Sequence, residues 1–359
     1  MSAGKDRSSL GIEESRSFGT EFFKHSFFYK LSVFATLLSF LVILLGSYVR
    51  LSNAGLGCPD WPGCFGELSV PTLEVVALTH PEHEFSSHKA WKEMAHRYLA
   101  GSLGLSILVL AIASLFQRRK PKPRLLSFTI LALVIFQAML GMWTVTLKLH
   151  PLVVMAHLLG GYSTFILLAY LSWKVGRQEK AQNSDALHFK CLPQWVSLGL
   201  GFLILQIILG GWLSANYASL ACPDFPTCQG QWWPSFHFSE AFTFWHSFGP
   251  NYEWGILNNN ARVTIHMMHR LGALVVFLYG LILCLVLILK PIYTDLRVNA
   301  LWILFFLFLQ IALGVTNVLL HLPLVIAVAH TGVAILLLFS MLSLLLRLQV
   351  APQRSSVYT

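Results

Sequence analysis

The sequence predicts an all-α integral membrane protein whose eight transmembrane helices form a tandem repeat of four plus four. Three observations carry that reading. Of the 359 residues 55% are hydrophobic and only 11% charged, and the mean hydropathy is positive, a balance foreign to a soluble domain of this length. Eight windows are long and apolar enough to cross a bilayer core, which takes roughly 20 residues of helix. The chain also repeats itself: His96 and His269 stand 173 residues apart, as do His157 and His330, Gln137 and Gln310, and Gly141 and Gly314.

Taken in order, the chain opens with a polar tail over 1–28, followed by spans at 29–50, 91–116, 125–147 and 151–174 that make up the first copy (29–174). A linker, 175–193, leads to spans at 194–217, 262–289, 298–320 and 323–347, the second copy (194–347), and a tail over 348–359 ends the chain. The opening tail contains Glu13, Glu14 and Glu21, unlike an acid-poor transit peptide, and no small-residue cleavage site follows the first apolar run. A bacterial-type inner membrane protein is expected.

Cations orient the spans. Lys5, Arg7, Arg16, Lys24 and Lys30 precede or open the first span. Arg118, Arg119, Lys120, Lys122 and Arg124 join spans two and three. Lys174, Arg177, Lys180 and Lys190 join four and five, and Lys290 and Arg297 join six and seven. The long loop 218–261 has no lysine or arginine. By the positive-inside bias both termini face the cytoplasm. The net charge of +9 then follows from topology, and no basic-aromatic motif argues for nucleic acid. The expected partner is the lipid bilayer.

The two long loops opposite, 51–90 and 218–261, share a second match. Cys58-Pro59-Asp60-Trp61-Pro62-Gly63-Cys64 resembles Cys222-Pro223-Asp224-Phe225-Pro226-Thr227-Cys228 at an offset of 164. The shift to 173 places about nine extra residues in the second long loop, where added length costs little. With both pairs on the oxidising side, one disulfide per loop, Cys58–Cys64 and Cys222–Cys228, is the favoured reading. A metal clip, a redox-active dithiol and free thiols are the alternatives. Structural zinc sites usually draw four ligands from closer pairs. Cys191 and Cys284 have no repeat partner and read as small apolar filler.

The four repeated histidines are the chemical centre. His96, His157, His269 and His330 each lie near the start of a span running inward, so at about 1.5 Å of rise per residue they share one layer toward the periplasmic side, two per copy. Opposed histidines on facing helices can ligate a haem iron. A single intramembrane histidine could equally be a hydrogen-bonded packing residue, but four at matched depth disfavour that. A zinc or copper site is the sharper rival, and only His266 offers it a further ligand.

Arg97 and Arg270 follow His96 and His269 directly, where a haem propionate would emerge; each could pair with that carboxylate or snorkel to the interface. Gly46, Gly141, Gly210 and Gly314, with Gly160, Gly161 and Gly211, are expected close-packing positions for a helix or a flat macrocycle. Trp61, Trp91, Trp212, Trp232, Trp233 and Trp254 read as an aromatic belt. His80, His83 and His88 read as a solvated loop cluster rather than a metal site. His150 and His321 lie in short turns with no assigned role, and His237 and His246 belong to the second long loop, expected to cover the C-terminal pair.

Together the two Cys-Pro-Asp-aromatic-Pro-x-Cys loops, Glu93-Met94-Ala95-His96-Arg97, His266-Met267-Met268-His269-Arg270 and Leu322 to His330 make the chain resemble the haem A synthase family, from about 46 to 345. The resemblance implies two pseudo-symmetric four-helix bundles. It further implies haem b held by His269 and His330 in the C-terminal bundle, and the substrate haem O bracketed by His96 and His157 in the N-terminal one. The implied reaction is oxidation of the C8 methyl of haem O to a formyl group by successive hydroxylations, giving haem A for terminal oxidases. An external electron donor, ferredoxin-like or other, haem O synthase, oxidase assembly factors and a second copy of the chain are its implied partners.

One asymmetry agrees with that division. Residues three apart share a helix face, so Glu93 stands beside His96, whereas its counterpart is His266. A carboxylate in one copy only suggests chemistry there, with Glu93 exchanging a proton or stabilising a cation. The plainer reading is a surface ion pair with Arg97 or Lys92, and the resemblance favours catalysis. The rival functions are a dihaem b-type electron carrier, which would want haems at both faces, and a haem delivery protein, which has little use for a carboxylate in one copy.

Overall fold

In a computed structural model, the residues described are 7–82, 84–117, 123–176, 191–290, 294 and 296–349. They form α1 (Arg7–Leu51), α2 (Leu73–Thr79), α3 (Ser87–Leu115), α4 (Arg124–Thr146), α5 (Pro151–Gly176), α6 (Leu192–Ala215), α7 (Phe238–Ala241), α8 (Asn259–Leu289), α9 (Arg297–Leu319) and α10 (Leu324–Gln349). Among the described residues there is no strand, only isolated bridges pairing Cys64 with Glu67 and Cys228 with Gln231. Eight helices are long and apolar enough to span a membrane: α1 over Ser26–Leu51, then α3, α4, α5, α6, α8, α9 and α10. The expected spans fall on these to within about one helical turn.

Two boundaries differ from expectation in an informative way. The helix of the first span continues back to Arg7, because no proline precedes Pro59 to interrupt the backbone ladder. α3 starts at Ser87, which puts His88 on a helix rather than in a loop. Lys5, His83, Arg118, Arg119, Lys120, Lys122, Arg177, Lys180 and Lys190 lie outside the described residues, and of Arg7, Arg16 and Lys24 only the helical backbone is described.

The duplication extends to the backbone. α1, α4, α6 and α9 all end the same way: Ala54 N–H bonds Val49 O, Leu149 N–H bonds Thr144 O, Ala218 N–H bonds Leu213 O, and Leu322 N–H bonds Asn317 O, at 2.7–3.0 Å. A left-handed residue precedes each of those donors or is one, at Asn53, Leu149, Tyr217 and Leu322. This six-to-one closure satisfies carbonyls that a helix end would leave unpaired. Pro151 and Pro323 then help start α5 and α10, proline being at home where a helix begins and has no N–H to lose.

The chain divides into two compact units, 1–42 with 97–139 and 160–181, and 43–96 with 140–159 and 182–359. The division crosses α1, α3, α4 and α5 as well as the 175–193 linker. The first unit has its own core, in which Phe28, Ala35 and Leu38 of α1 pack with Leu103, Ile107 and Leu110 of α3, Ile130 of α4, and Leu168, Leu171 and Val175 of α5. A hydrogen bond of 3.1 Å joins Thr36 and Ser172 within it. In lipid such close packing and side-chain hydrogen bonding, rather than withdrawal from water, hold helices together.

In the second unit α6, α8, α9 and α10 close into a ring, with α6 against α8, α8 against α9, α9 against α10 and α10 against α6. The cysteine-loop ends of the first-copy spans belong to this unit too. There the Arg50 guanidinium donates to Ser214 O at 2.9 Å, and Gly211 lies against Leu158 and Met155. All four repeated histidines are in this unit.

Candidate functional site

The two cysteine loops fold alike because their shared residues do the same local work. Cys58 is bonded to Cys64, with Cα atoms 4.8 Å apart, and Cys222 to Cys228, with Cα atoms 4.6 Å apart. In the first loop Asp60 accepts the N–H groups of Phe65 and Gly66 at 2.6 and 2.8 Å. In the second Asp224 accepts those of Gln229 and Gly230 at 2.6 and 3.0 Å. Phe65, Gly66, Gln229 and Gly230 all have positive φ, and the aspartate stabilises the strained turn. The Thr227 hydroxyl, with the Gly230 and Gln229 N–H groups, holds the Asp224 carboxyl down at about 2.

Each loop packs on the helix that follows. Cys58 and Cys64 bury against Ala90 and Met94 of α3, and Cys222 and Cys228 against their counterparts Val263 and Met267 of α8. His96 is ten residues into α3, His157 seven into α5, His269 eleven into α8 and His330 seven into α10. All four imidazoles therefore lie within about three turns of the cysteine-loop ends of their helices.

Every one of those imidazoles lies over a glycine of the spanning helix before it. A Cβ built on Gly46 would meet His96 Cε1 at 2.8 Å, on Gly210 His269 Cε1 at 3.0 Å, on Gly314 His330 Cε1 at 3.1 Å, and on Gly141 His157 Cε1 at 3.4 Å. The glycines expected as close-packing positions thus have a specific task, which is to let a ring stand where a side chain would otherwise be.

A glutamine one turn before the glycine recurs on three of these helices, as Gln137, Gln206 and Gln310. The Gln206 amide nitrogen contacts His269 Nδ1 at 2.9 Å and donates to His269 O at 3.0 Å; the Gln310 amide nitrogen is 3.2 Å from His330 Nε2. The sequence reading missed Gln206, although Gln-x3-Gly on three spans was there to be seen. Gln137 instead fills the space left by Gly160.

The residues fit haem. His330 Nδ1 is buried without a hydrogen-bond partner among the described residues, the state of a nitrogen available to a metal. The rival cluster of three or more ligands does not form among the described residues. His266, its expected extra member, hydrogen-bonds Ala218 O through Nδ1 at 3.1 Å.

Glu93 is buried, 5% exposed, and its carboxylate accepts the Cys58 N–H at 3.0 Å. It thus ties the first cysteine loop to α3 one turn from His96. Lys92 lies over the Tyr48 ring at 5.0 Å. Arg270 does the tying in the second copy: its guanidinium donates to Asp224 O at 2.7 Å, Thr227 O at 2.8 Å and Cys222 O at 3.2 Å. The two terminal nitrogens expected to meet a propionate are committed there to loop carbonyls. Arg97 follows His96 directly on α3.

The second long loop touches helices of both copies. Its first part does lie on α8, where Thr264 Oγ1 accepts the His237 N–H at 2.9 Å. Beyond α7, however, residues 245–252 reach the α4–α5 turn of the first copy, where Tyr252 N–H bonds Lys148 O at 3.0 Å. Of the described histidines near the first long loop, His80 packs on Phe65 and faces Glu82 at 3.6 Å, and His88 is exposed. His321 has positive φ in the turn before α10.

Comparison with known proteins agrees with this architecture. Residues 29–342 match the family described as cytochrome oxidase assembly protein, COX15-CtaA. A protein of Shewanella oneidensis named Heme A synthase is 45% identical over 311 residues, covering 85% of this chain and 91% of its own. A Heme A synthase of Alkalihalophilus pseudofirmus is 28% identical over 57% of this chain and 66% of its own, and one of Lysinibacillus sphaericus 27% over 88% and 93%.

Proposed function

The chain belongs to the cytochrome oxidase assembly protein family, COX15-CtaA, and from that premise we propose that it is an enzyme of haem A biosynthesis. Its substrate is haem O, whose C8 methyl group it oxidises to a formyl group. The observation that carries this reading is the set of four imidazoles seated on four glycines at one end of the spans, in a chain 45% identical to a Heme A synthase.

In this reading His269 and His330 hold haem b in the C-terminal copy, and His96 and His157 hold the substrate in the N-terminal copy, each copy forming a four-helix bundle. Haem b when bound supplies one-electron redox chemistry. The chain's own residues position and exclude. The glycines admit the rings, the apolar helix faces keep water out, and Gln206 and Gln310 orient the C-terminal imidazoles. Glu93 lies on the His96 face with one carboxylate oxygen fixed by the Cys58 N–H. There it is placed to exchange a proton with the bound substrate. Its counterpart His266 is tied to Ala218 O, so acid–base work falls to the first copy.

The location is the bacterial plasma membrane, with both termini cytoplasmic and the histidine layer periplasmic, supported by the cation pattern of the loops. All four histidines lie toward one end, which weighs against a relay carrying electrons between the two faces. The donor is external, and haem O synthase and oxidase assembly factors are natural neighbours. The test is coexpression with a haem O synthase followed by chromatography of the extracted haems. Haem A or its hydroxylated precursor is expected; neither appearing while haem b is fully loaded would refute the enzyme.

A further inference from the structure

While the two terminal nitrogens of Arg270 donate to loop carbonyls, two imidazole nitrogens outside the four repeated histidines are buried without a hydrogen-bond partner among the described residues: Nδ1 of His150 and Nε2 of His246. Buried polar atoms left in that state are rare and costly, and each asks for an explanation. His150 ends the α4–α5 turn and is 1% exposed. Its ring is enclosed by the 245–252 segment, with Tyr252 at 5.1 Å, Phe248 at 5.7 Å, Trp245 at 6.0 Å and His246 at 6.3 Å between ring centroids. His150 Nε2 is 3.3 Å from His246 O. The strap is held down by the Tyr252 N–H on Lys148 O at 3.0 Å.

Two neighbouring imidazoles match the two oxygens of a carboxylate, His246 through an N–H on Nε2 and His150, whose Nε2–H faces His246 O, through Nδ1–H of the doubly protonated ring that a bound carboxylate favours. No lysine or arginine occurs between 218 and 261, so histidine is the donor this loop brings. The location is specific. His150 precedes His157 by seven residues, two helical turns and about 10 Å along α5 on the same face. At the corresponding place in the second copy stands Pro323, which offers no side-chain donor. The second long loop reaches the first copy through residues 245–252.

We propose that His150 and His246 form a carboxylate-binding site that takes a propionate arm of the substrate haem, with the 245–252 strap closing over it. The assignment rests on the reading that His157 and His96 take that haem. It also explains why the strap belongs to one copy and docks on the other.

The experiment titrates haem O and its dimethyl ester, followed by optical absorbance, into the full-length protein purified with its haem b. Wild type should bind the free acid about tenfold more tightly than the ester, the weight of one hydrogen bond to a charged group. His150→Phe and His246→Phe keep the aromatic packing and should bind both forms within about twofold of each other, with haem b absorbance unchanged as the check on folding. If His150→Phe fails to accumulate, the half-exposed His246→Phe decides alone. Equal binding of acid and ester by wild type, or an acid preference retained in His246→Phe, overturns the proposal. His157→Ala separates the two levels: it should weaken acid and ester alike, and if it weakens neither while wild type prefers the acid, the placement of the substrate at His157 fails and not the acid preference.

Discussion

Ser47 and Thr331 share a hydrogen bond of 3.1 Å between their hydroxyls, and each stands one residue beyond a member of a histidine site, Gly46 under His96 and His330 itself. The two copies are thus joined next to the groups proposed to hold the two haems. A double-mutant cycle with Ser47→Ala and Thr331→Val should give a coupling of about 0.6 kcal/mol in thermal unfolding, the usual worth of such a bond between membrane helices.

The glycine contacts predict an order. Alanine at Gly46, where the added atom would stand 2.8 Å from the His96 ring, should be worst for substrate binding. Gly210→Ala and Gly314→Ala, at 3.0 and 3.1 Å, should cost about as much for haem b, and Gly141→Ala, at 3.4 Å, should be mild. Overpacking of this kind costs about 1–3 kcal/mol, so haem affinity in the three tighter variants should fall roughly tenfold or more. Haem content per chain after purification checks the order.

Glu93 has two separable tasks, and two substitutions divide them. Glu93→Gln keeps an acceptor for the Cys58 N–H and should leave the loop intact while product formation stops. Glu93→Ala should lose both, with faster hydrogen exchange at Cys58. Full activity in Glu93→Gln would reduce the residue to a loop anchor.

Acid should act on the two loop systems in different ranges. Asp224 has a depressed pKa of about 2, so its stabilisation of the second cysteine loop is present above the ordinary carboxylate value near 4 and is lost as pH falls through about 2. His246 is lowered by burial and by the neighbouring His150. The strap should therefore stay closed above the ordinary imidazole value of about 6.5 and loosen as pH falls below it. Deuterium uptake at the Tyr252 amide should rise on acidification, and His246→Phe should flatten the response.

Much of this was legible in the sequence because a duplication lets one copy comment on the other. The spans, the paired cysteines and the four histidines all recur at fixed offsets, and lipid forces helices on any apolar run of that length. What stayed hidden depended on contacts between distant segments. Nothing in the pattern around His150 says that residues 245–252 will enclose it. Nor does a lone Arg270 reveal that backbone carbonyls of its own cysteine loop will occupy its donors. Gln206 was obscured because the first copy has Val42 at the same place, so the repeat comparison passed over it.

The most direct test of two pockets with divided tasks is the haem content and axial ligation of the purified protein, read by chromatography and electron paramagnetic resonance, in wild type and in alanine variants at the four histidines. His269→Ala and His330→Ala should lose the low-spin haem b signal. His96→Ala and His157→Ala should keep that signal while yielding no haem A. Loss of haem b from all four variants alike, or haem b undisturbed in His269→Ala and His330→Ala, would contradict the account.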